Sequence, residues 1–149
     1  MEQELSNCPS ADGTFLSSTF PNTHSLFLKQ KNAEDYYLEA YNYEIKYKQY
    51  EKALKLYLKA AELGLDKAQY YSGLMMLNNR GCKMNNKKEA IELIEKAANQ
   101  NYPHAQLLMS KIYHNGEFVK QDVELGNEWL AKYNSHNIEK PIIISFHGY

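Results

Sequence analysis

The chain has 149 residues, with 17 Lys and Arg against 18 Asp and Glu, five His and a net charge of −1. That length supports one buried core but not two independent ones, and the even charge leaves no basic field to collect phosphates or anionic lipid, so neither nucleic acid nor a membrane surface is an expected partner. No stretch approaches a membrane span, and Met1-Glu2-Gln3-Glu4-Leu5 lacks the basic flank and apolar core of a secretory signal, so the expected location is cytoplasmic.

In chain order, residues 1–32 read as an irregular segment. Ser, Thr, Asn, Pro and Gly are dense there, yet Phe15, Leu16, Phe20, Leu26, Phe27 and Leu28 are too apolar for a simple solvated tail. Part of this segment is expected to pack against the first helix pair. From residue 33 onward, apolar residues recur at three- and four-residue spacing, which predicts helices at about 33–47, 50–63, 67–79, 87–99, 104–114 and 123–135. Gly64 and Asn101 stand where a left-handed residue closes a helix. Asp66, Asn86 and Asp122 stand where a side-chain oxygen caps the next one, and Pro103 suits a first helical turn. Seven of the 13 tyrosines crowd between Tyr36 and Tyr57. Residues 137–149 form an apolar tail, and its Ile142-Ile143-Ile144 run predicts an extended strand. That strand would dock on the helices, meet a partner, or pair with a second copy in a homodimer.

The helices repeat. Ala53-Leu54-Lys55-Leu56-Tyr57-Leu58-Lys59-Ala60-Ala61 aligns with Ala90-Ile91-Glu92-Leu93-Ile94-Glu95-Lys96-Ala97-Ala98 at a step of 37 residues. The same step carries Ala68 to Ala105 and Gly73 to Ser110. The run Lys59-Ala60-Ala61-Glu62-Leu63-Gly64, followed by Ala68, Gly73, Gly81 and Ala90, resembles the Sel-1-like repeat, a relative of the tetratricopeptide repeat. The third unit carries the same resemblance in Ala105, Ser110, Tyr113, Gly116, Asp122, Gly126 and Trp129-Leu130. There are departures. Leu38 stands where the family prefers glycine, the first unit has a shorter, glycine-free loop and could equally be called tetratricopeptide-like, and Tyr133-Asn134 replaces the double alanine. The resemblance implies an all-α fold, a short α-solenoid of about three helix-turn-helix repeats over residues 33–136, and the role of an adaptor or scaffold that binds another protein.

Counting from Ala33, Ala68 and Ala105 puts Tyr36, Tyr37, Ala40, Tyr41, then Tyr71, Ser72, Met75, Met76, then Leu108, Met109, Ile112, Tyr113 on the core side of each first helix. The opposite side should line the concave face of the solenoid. The expected partner-binding residues there are Asp35, Glu39, Tyr70, Leu74, Leu77, Leu107, Lys111 and His114, an apolar centre with an acidic flank. The alternative is that the chain covers this groove with its own N- or C-terminal segment. Two other roles compete with the adaptor: a single-partner inhibitor such as a bacterial immunity protein, and a secreted effector acting on host proteins. No enzyme, cofactor or metal site is expected. His24, His104, His114, His136 and His147 fall one per segment with no HxxxH or HExxH pair. Cys8 and Cys82 form no CxxC pair and fit a reducing compartment with free thiols, a single bridge between them being the less supported alternative. Lys46, Lys48, Lys52, Lys55 and Lys59 are interrupted by Glu51 and flanked by Glu44 and Glu62, as on an ordinary solvated helix.

Overall fold

The computed structural model describes residues 29–83 and 86–136, and every regular element among them is a helix. The helices are α1 (Ala33–Ile45), α2 (Tyr50–Glu62), α3 (Asp66–Leu77), α4 (Lys87–Asn99), α5 (Pro103–Asn115) and α6 (Val123–His136). Each helix packs on its chain neighbours, α1 on α2, α3 on α4 and α5 on α6, with α2 against α3 and α4 against α5 joining the pairs. This is the three-pair solenoid expected from the repeat. The expectations for residues 1–28 and for the 137–149 tail lie outside the described residues.

The chain reverses at the predicted places, with one change of mechanism. Gly64 and Asn101 take left-handed backbone with φ of 90° and 65°, closing α2 and α4. Pro103 opens α5, and the Asp122 carboxylate accepts from the Leu125 N–H at 3.0 Å. Asp66 and Asn86 do not cap as expected. Asp66 lies inside α3 behind Leu65, and the Asn86 side chain donates to Glu89 instead. The strongest cap is one the sequence reading does not name. Asn32 Oδ1 accepts from Asp35 N at 2.9 Å and Asp35 Oδ2 accepts from Asn32 N at 3.0 Å, a reciprocal capping box.

Small residues set the helix approach. Ala53, Ala60, Ala68, Ala90, Ala97 and Ala105 are fully buried. A methyl placed on Gly73 would lie 2.6 Å from Ile94 Cγ1 and 2.7 Å from the Ala90 carbonyl. The core between these contacts is filled by Leu54, Tyr57, Met76, Ile94, Met109 and Trp129. Two buried glutamines tie one repeat to the next in the same way. Gln69 Nε2 donates to the Ala61 carbonyl at 3.3 Å, and Gln106 Nε2 donates to the Ala98 carbonyl at 3.2 Å. Donor and acceptor both shift by the repeat step, so this bond is part of the repeat itself.

The helix starts correct the register of the first unit. The second and third first-helices begin 37 residues apart, but α1 and α3 begin 33 apart, because residues 46–49 make a shorter turn than residues 78–86. A count from Ala33 to Ala68 implies a step of 35 and misplaces α1 by two positions. In the observed register Ala40, fully buried, stands where Gly73 and Ser110 stand, and Leu38 is not at the glycine position. Tyr41, expected in the core, is 45% exposed. A second correction concerns the cysteines. Cys82 is disulfide-bonded rather than a free thiol. The sequence holds one other cysteine, Cys8.

Candidate binding face

With the register corrected, three rows of residues run across the first helices α1, α3 and α5. They are Tyr37, Tyr70 and Leu107; Tyr41, Leu74 and Lys111; and Glu44, Leu77 and His114. Six of the eight expected binding residues lie in these rows. Asp35 and Glu39 do not. Asp35 is held in the capping box, and Glu39 pairs with Lys31 at 2.5 Å, on the side of α1 whose counterparts in α3, Ala68 and Ser72, are fully buried against α2. Their places on the face are taken by Tyr37 and Tyr41.

The third row is closed to a partner because all of it is buried. Glu44 accepts from the Tyr57 hydroxyl at 3.0 Å and from Arg80 Nη1 at 3.3 Å. Leu77 is 7% exposed. His114 Nδ1 donates to the Ser110 carbonyl at 2.7 Å while Nε2 lies 3.0 Å from the Asn127 side-chain amide. A methyl on Gly126 would sit 2.4 Å from that imidazole, so His114 is a packing residue of α5 on α6. One position thus carries a carboxylate, an alkyl chain and an imidazole in successive repeats, each matched locally.

The first two rows form the accessible surface. Leu74 and Leu107 are half-buried, less open than the patch the sequence suggests. Tyr70 of the same face is covered in part by the α4–α5 connection, which belongs to neither terminus. The Tyr70 ring lies 5.2 Å from that of Tyr102 and 6.1 Å from that of His104. The result is a ladder of rings, Tyr37 to Tyr71 at 5.9 Å, Tyr71 to Tyr70 at 5.3 Å, then Tyr102 and, 5.4 Å further, His104. Tyr57 supports it from below, 5.5 Å from Tyr37 and 5.8 Å from Tyr71. Such tilted and edge contacts add to the area the rings bury. Of the crowded tyrosines, Tyr37 and Tyr57 enter this cluster and Tyr41 lies on the face, while Tyr43 and Tyr47 pair with each other at 5.6 Å, Tyr47 being exposed.

Burial keeps four of the phenols neutral. Burial, with Tyr71 close by, pushes the Tyr37 phenol up to about 12, and burial with Tyr71, Tyr70 and Asp66 nearby does the same for Tyr102. Burial raises Tyr70 as well, and burial plus the Glu44 carboxylate raises Tyr57 further. At neutral pH these hydroxyls are donors and not anions. Lys67 sits 4.5 Å over the Tyr37 ring and pairs with Glu34 at 2.7 Å, whereas Lys111 is exposed at the other end. Among the described residues, no group of three His, Cys, Asp or Glu side chains is arranged to hold a metal ion, and no helix is long and apolar enough to cross a membrane.

Comparison with known proteins agrees with the helix pairs. The Sel1 repeat model matches residues 33–65, 66–102 and 103–132, and its first two matches begin 33 residues apart, as α1 and α3 do. The fold is similar to the crystal structure of a Sel1 repeat protein from Oxalobacter formigenes, at a TM-score of 0.68 and 31% identity, covering 76% of this chain and 48% of that one. It is also similar to c5321, described as a protective antigen of uropathogenic Escherichia coli strains with an SLR fold, at a TM-score of 0.66 and 28% identity, covering 70% of this chain and 23% of that one. The chain therefore spans about half the length of the first and about a quarter of the second. No curated protein matches it. Sel1 repeats typically form protein-interaction modules rather than enzymes, and this chain, with three of them stacked from Ala33 onward, belongs to the Sel1 repeat family.

Proposed function

We propose that the chain is an adaptor-type interaction module that holds a protein segment against the first two rows of α1, α3 and α5. The observation that carries this is the ring ladder from Tyr37 to His104, in which Tyr37, Tyr70 and Tyr102 are half-buried; the second row adds Tyr41 and Leu74 and ends at the exposed Lys111. Aromatic side chains offer large contact area at small entropy cost, and they dominate the binding energy of protein interfaces. A partner suited to this face brings apolar side chains over the rings and a carboxylate to Lys111. The first-row and second-row residues, not Asp35, Glu39, Leu77 or His114, are its contacts.

Affinity capture with mass spectrometry, using Lys111→Glu and Tyr41→Ala beside the parent chain, tests the face. Both positions are exposed, so helical circular dichroism should not change. A specifically retained protein should be lost with these two and kept with Glu92→Lys on the exposed side of α4. Retention by all three variants alike would place the contact elsewhere.

A further inference from the structure

The turns that close the first two helix pairs lie side by side at one edge of the solenoid, where α1 and α3 end and α2 and α4 begin. Arg80 of the second turn joins them. Its Nη1 is 3.3 Å from the Glu44 carboxylate in the last turn of α1, and its guanidinium stands 4.8 Å over the Tyr50 ring at the start of α2. The first turn and the helix start after it carry Lys46, Lys48 and Lys52; the second carries Arg80, Lys83, Lys87 and Lys88. Against these seven cations stand Glu44, Glu51 and Glu89. Each of the three carboxylates is already engaged, Glu44 by Tyr57 and Arg80, Glu51 by Lys55 at 3.2 Å and Glu89 by the Asn86 amide. Among the described residues, no carboxylate pairs with Lys46, Lys48, Lys52 or Lys83.

Helix stability alone does not favour this arrangement. Lys46 and Lys48 suit the negative end of α1, but Lys52, Lys87 and Lys88 lie in the first turns of α2 and α4, at the positive ends of those helices, where a cation is unfavourable. Arg80 and Lys87 are used inside the fold, Lys87 donating to the Leu77 carbonyl. Lys46, Lys48, Lys52, Lys83 and Lys88 are exposed, Lys88 only loosely paired at 3.9 Å from Glu92. Lys46 and Lys52 stand 5.4 Å over Tyr47 and 5.5 Å over Tyr43, and of these rings Tyr47 is 52% exposed. We propose that this edge docks an acidic segment of a partner protein, with carboxylates over Lys48, Lys83 and Lys88 and an apolar side chain on the Tyr47 ring. It is a second contact, independent of the ring ladder on the concave face. Charge complementarity sets the chemistry of the occupant, and the third turn sets its length. At the same edge the α5–α6 turn reverses the sign, with Glu117, Asp122 and Glu124 against Lys120. The positive surface therefore ends after two turns. A short acidic run fits within it, whereas a nucleic acid strand following the edge would meet carboxylates.

The test is fluorescence anisotropy of the full chain with a fluorescein-labelled peptide in which glutamates flank a central phenylalanine. The same peptide with glutamines, and a single-stranded thymidine oligonucleotide, are measured beside it. The glutamate peptide should bind, the glutamine peptide should not, and binding should weaken as salt is raised from about 0.05 to about 0.3 M. Lys48→Glu combined with Lys83→Glu should lower the affinity about tenfold, while Lys120→Glu in the third turn should leave it unchanged. All three positions are exposed. If the double reversal disturbs the helical circular dichroism, Lys48→Gln with Lys83→Gln is read in its place, with a loss of about threefold. No binding of the glutamate peptide, equal binding of the glutamine peptide, or a double variant that binds as the parent does overturns the proposal. Tighter binding of the oligonucleotide overturns it and assigns the edge to nucleic acid. Loss of the peptide with Lys111→Glu instead also overturns it, and places the acidic segment on the concave face, so the two readings fail separately.

Discussion

The two junctions between repeats share a skeleton and differ in filling. At both, a buried glutamine of the incoming helix binds an alanine carbonyl of the helix before it, Gln69 to Ala61 and Gln106 to Ala98. Around that bond the α2–α3 junction is aromatic and charged, with Tyr37, Tyr57 and Tyr71 in contact and Arg80 reaching back to Glu44. In α4 and α5 the buried apolar side chains larger than alanine are Ile91, Leu93, Ile94, Met109 and Ile112, with no buried ring among them. What repeats is the contact that addresses the backbone, which is the same in every unit. Side-chain filling is free to vary as long as volume and polarity are matched locally.

The sharpest way to break this comparison is to empty each junction in turn. Tyr57→Ala removes a fully buried ring and leaves Glu44 without its hydroxyl donor, and should cost about 4 kcal/mol in urea unfolding; Met109→Ala should cost about 3. Because repeats couple mainly to neighbours, hydrogen exchange should rise in α1–α3 for the first and in α4–α6 for the second. Uniform loss over all six helices in both variants would show a single cooperative core instead.

A smaller effect tests the glycine contact. Gly73→Ala sets a methyl against the Ala90 carbonyl, which cannot move aside as a side chain can, and should lower stability by about 2 kcal/mol. No loss would mean that α3 and α4 separate readily. Alkaline pH probes the ring ladder without mutation. An acid whose folded pKa is raised binds its proton more tightly when folded, so its contribution is present below the unfolded value and lost as pH rises through the folded one. For Tyr37 and Tyr102 that window runs from the ordinary tyrosine value near 10 to about 12. Phenolate absorbance and circular dichroism should change together there, through Tyr37 of α1 and through Tyr102 of the α4–α5 connection. Free titration of all tyrosines near 10 with helicity intact would contradict the buried ladder.

The smallest expected difference lies in the glutamines themselves. Gln69 has both ends of its amide paired, the oxygen accepting from Gln100 Nε2 at 2.8 Å, while Gln106 Oε1 is buried with no partner. Gln69→Leu should cost about 1 kcal/mol and Gln106→Leu distinctly less, since it also removes an unsatisfied acceptor. Equal costs in urea titrations would show that Gln106 Oε1 finds a partner in solution.

Local signals make the helices and their order legible. Three- and four-residue apolar spacing places all six helices within a few residues, and glycine, asparagine and proline mark the reversals, because these depend on neighbours a turn apart. The 37-residue step is visible wherever both units share loop length. It fails in the first unit, where a shorter turn shifts the frame by four residues and Ala33 offers a false landmark. That one shift moves Asp35 and Glu39 onto the binding face and Tyr37 and Tyr41 off it.

Residue type and spacing therefore determined that this chain folds as stacked helix pairs of the Sel1 kind. Tertiary structure alone decided which residues of each first helix are open. His114 and Leu77 share the phase of the open rows, yet each is buried, His114 over Gly126 of the helix packed across from it. The repeated glutamines are buried because a carbonyl one helix away gives each a partner. Periodicity states the direction in which a side chain points, and burial depends on what another part of the chain brings to meet it.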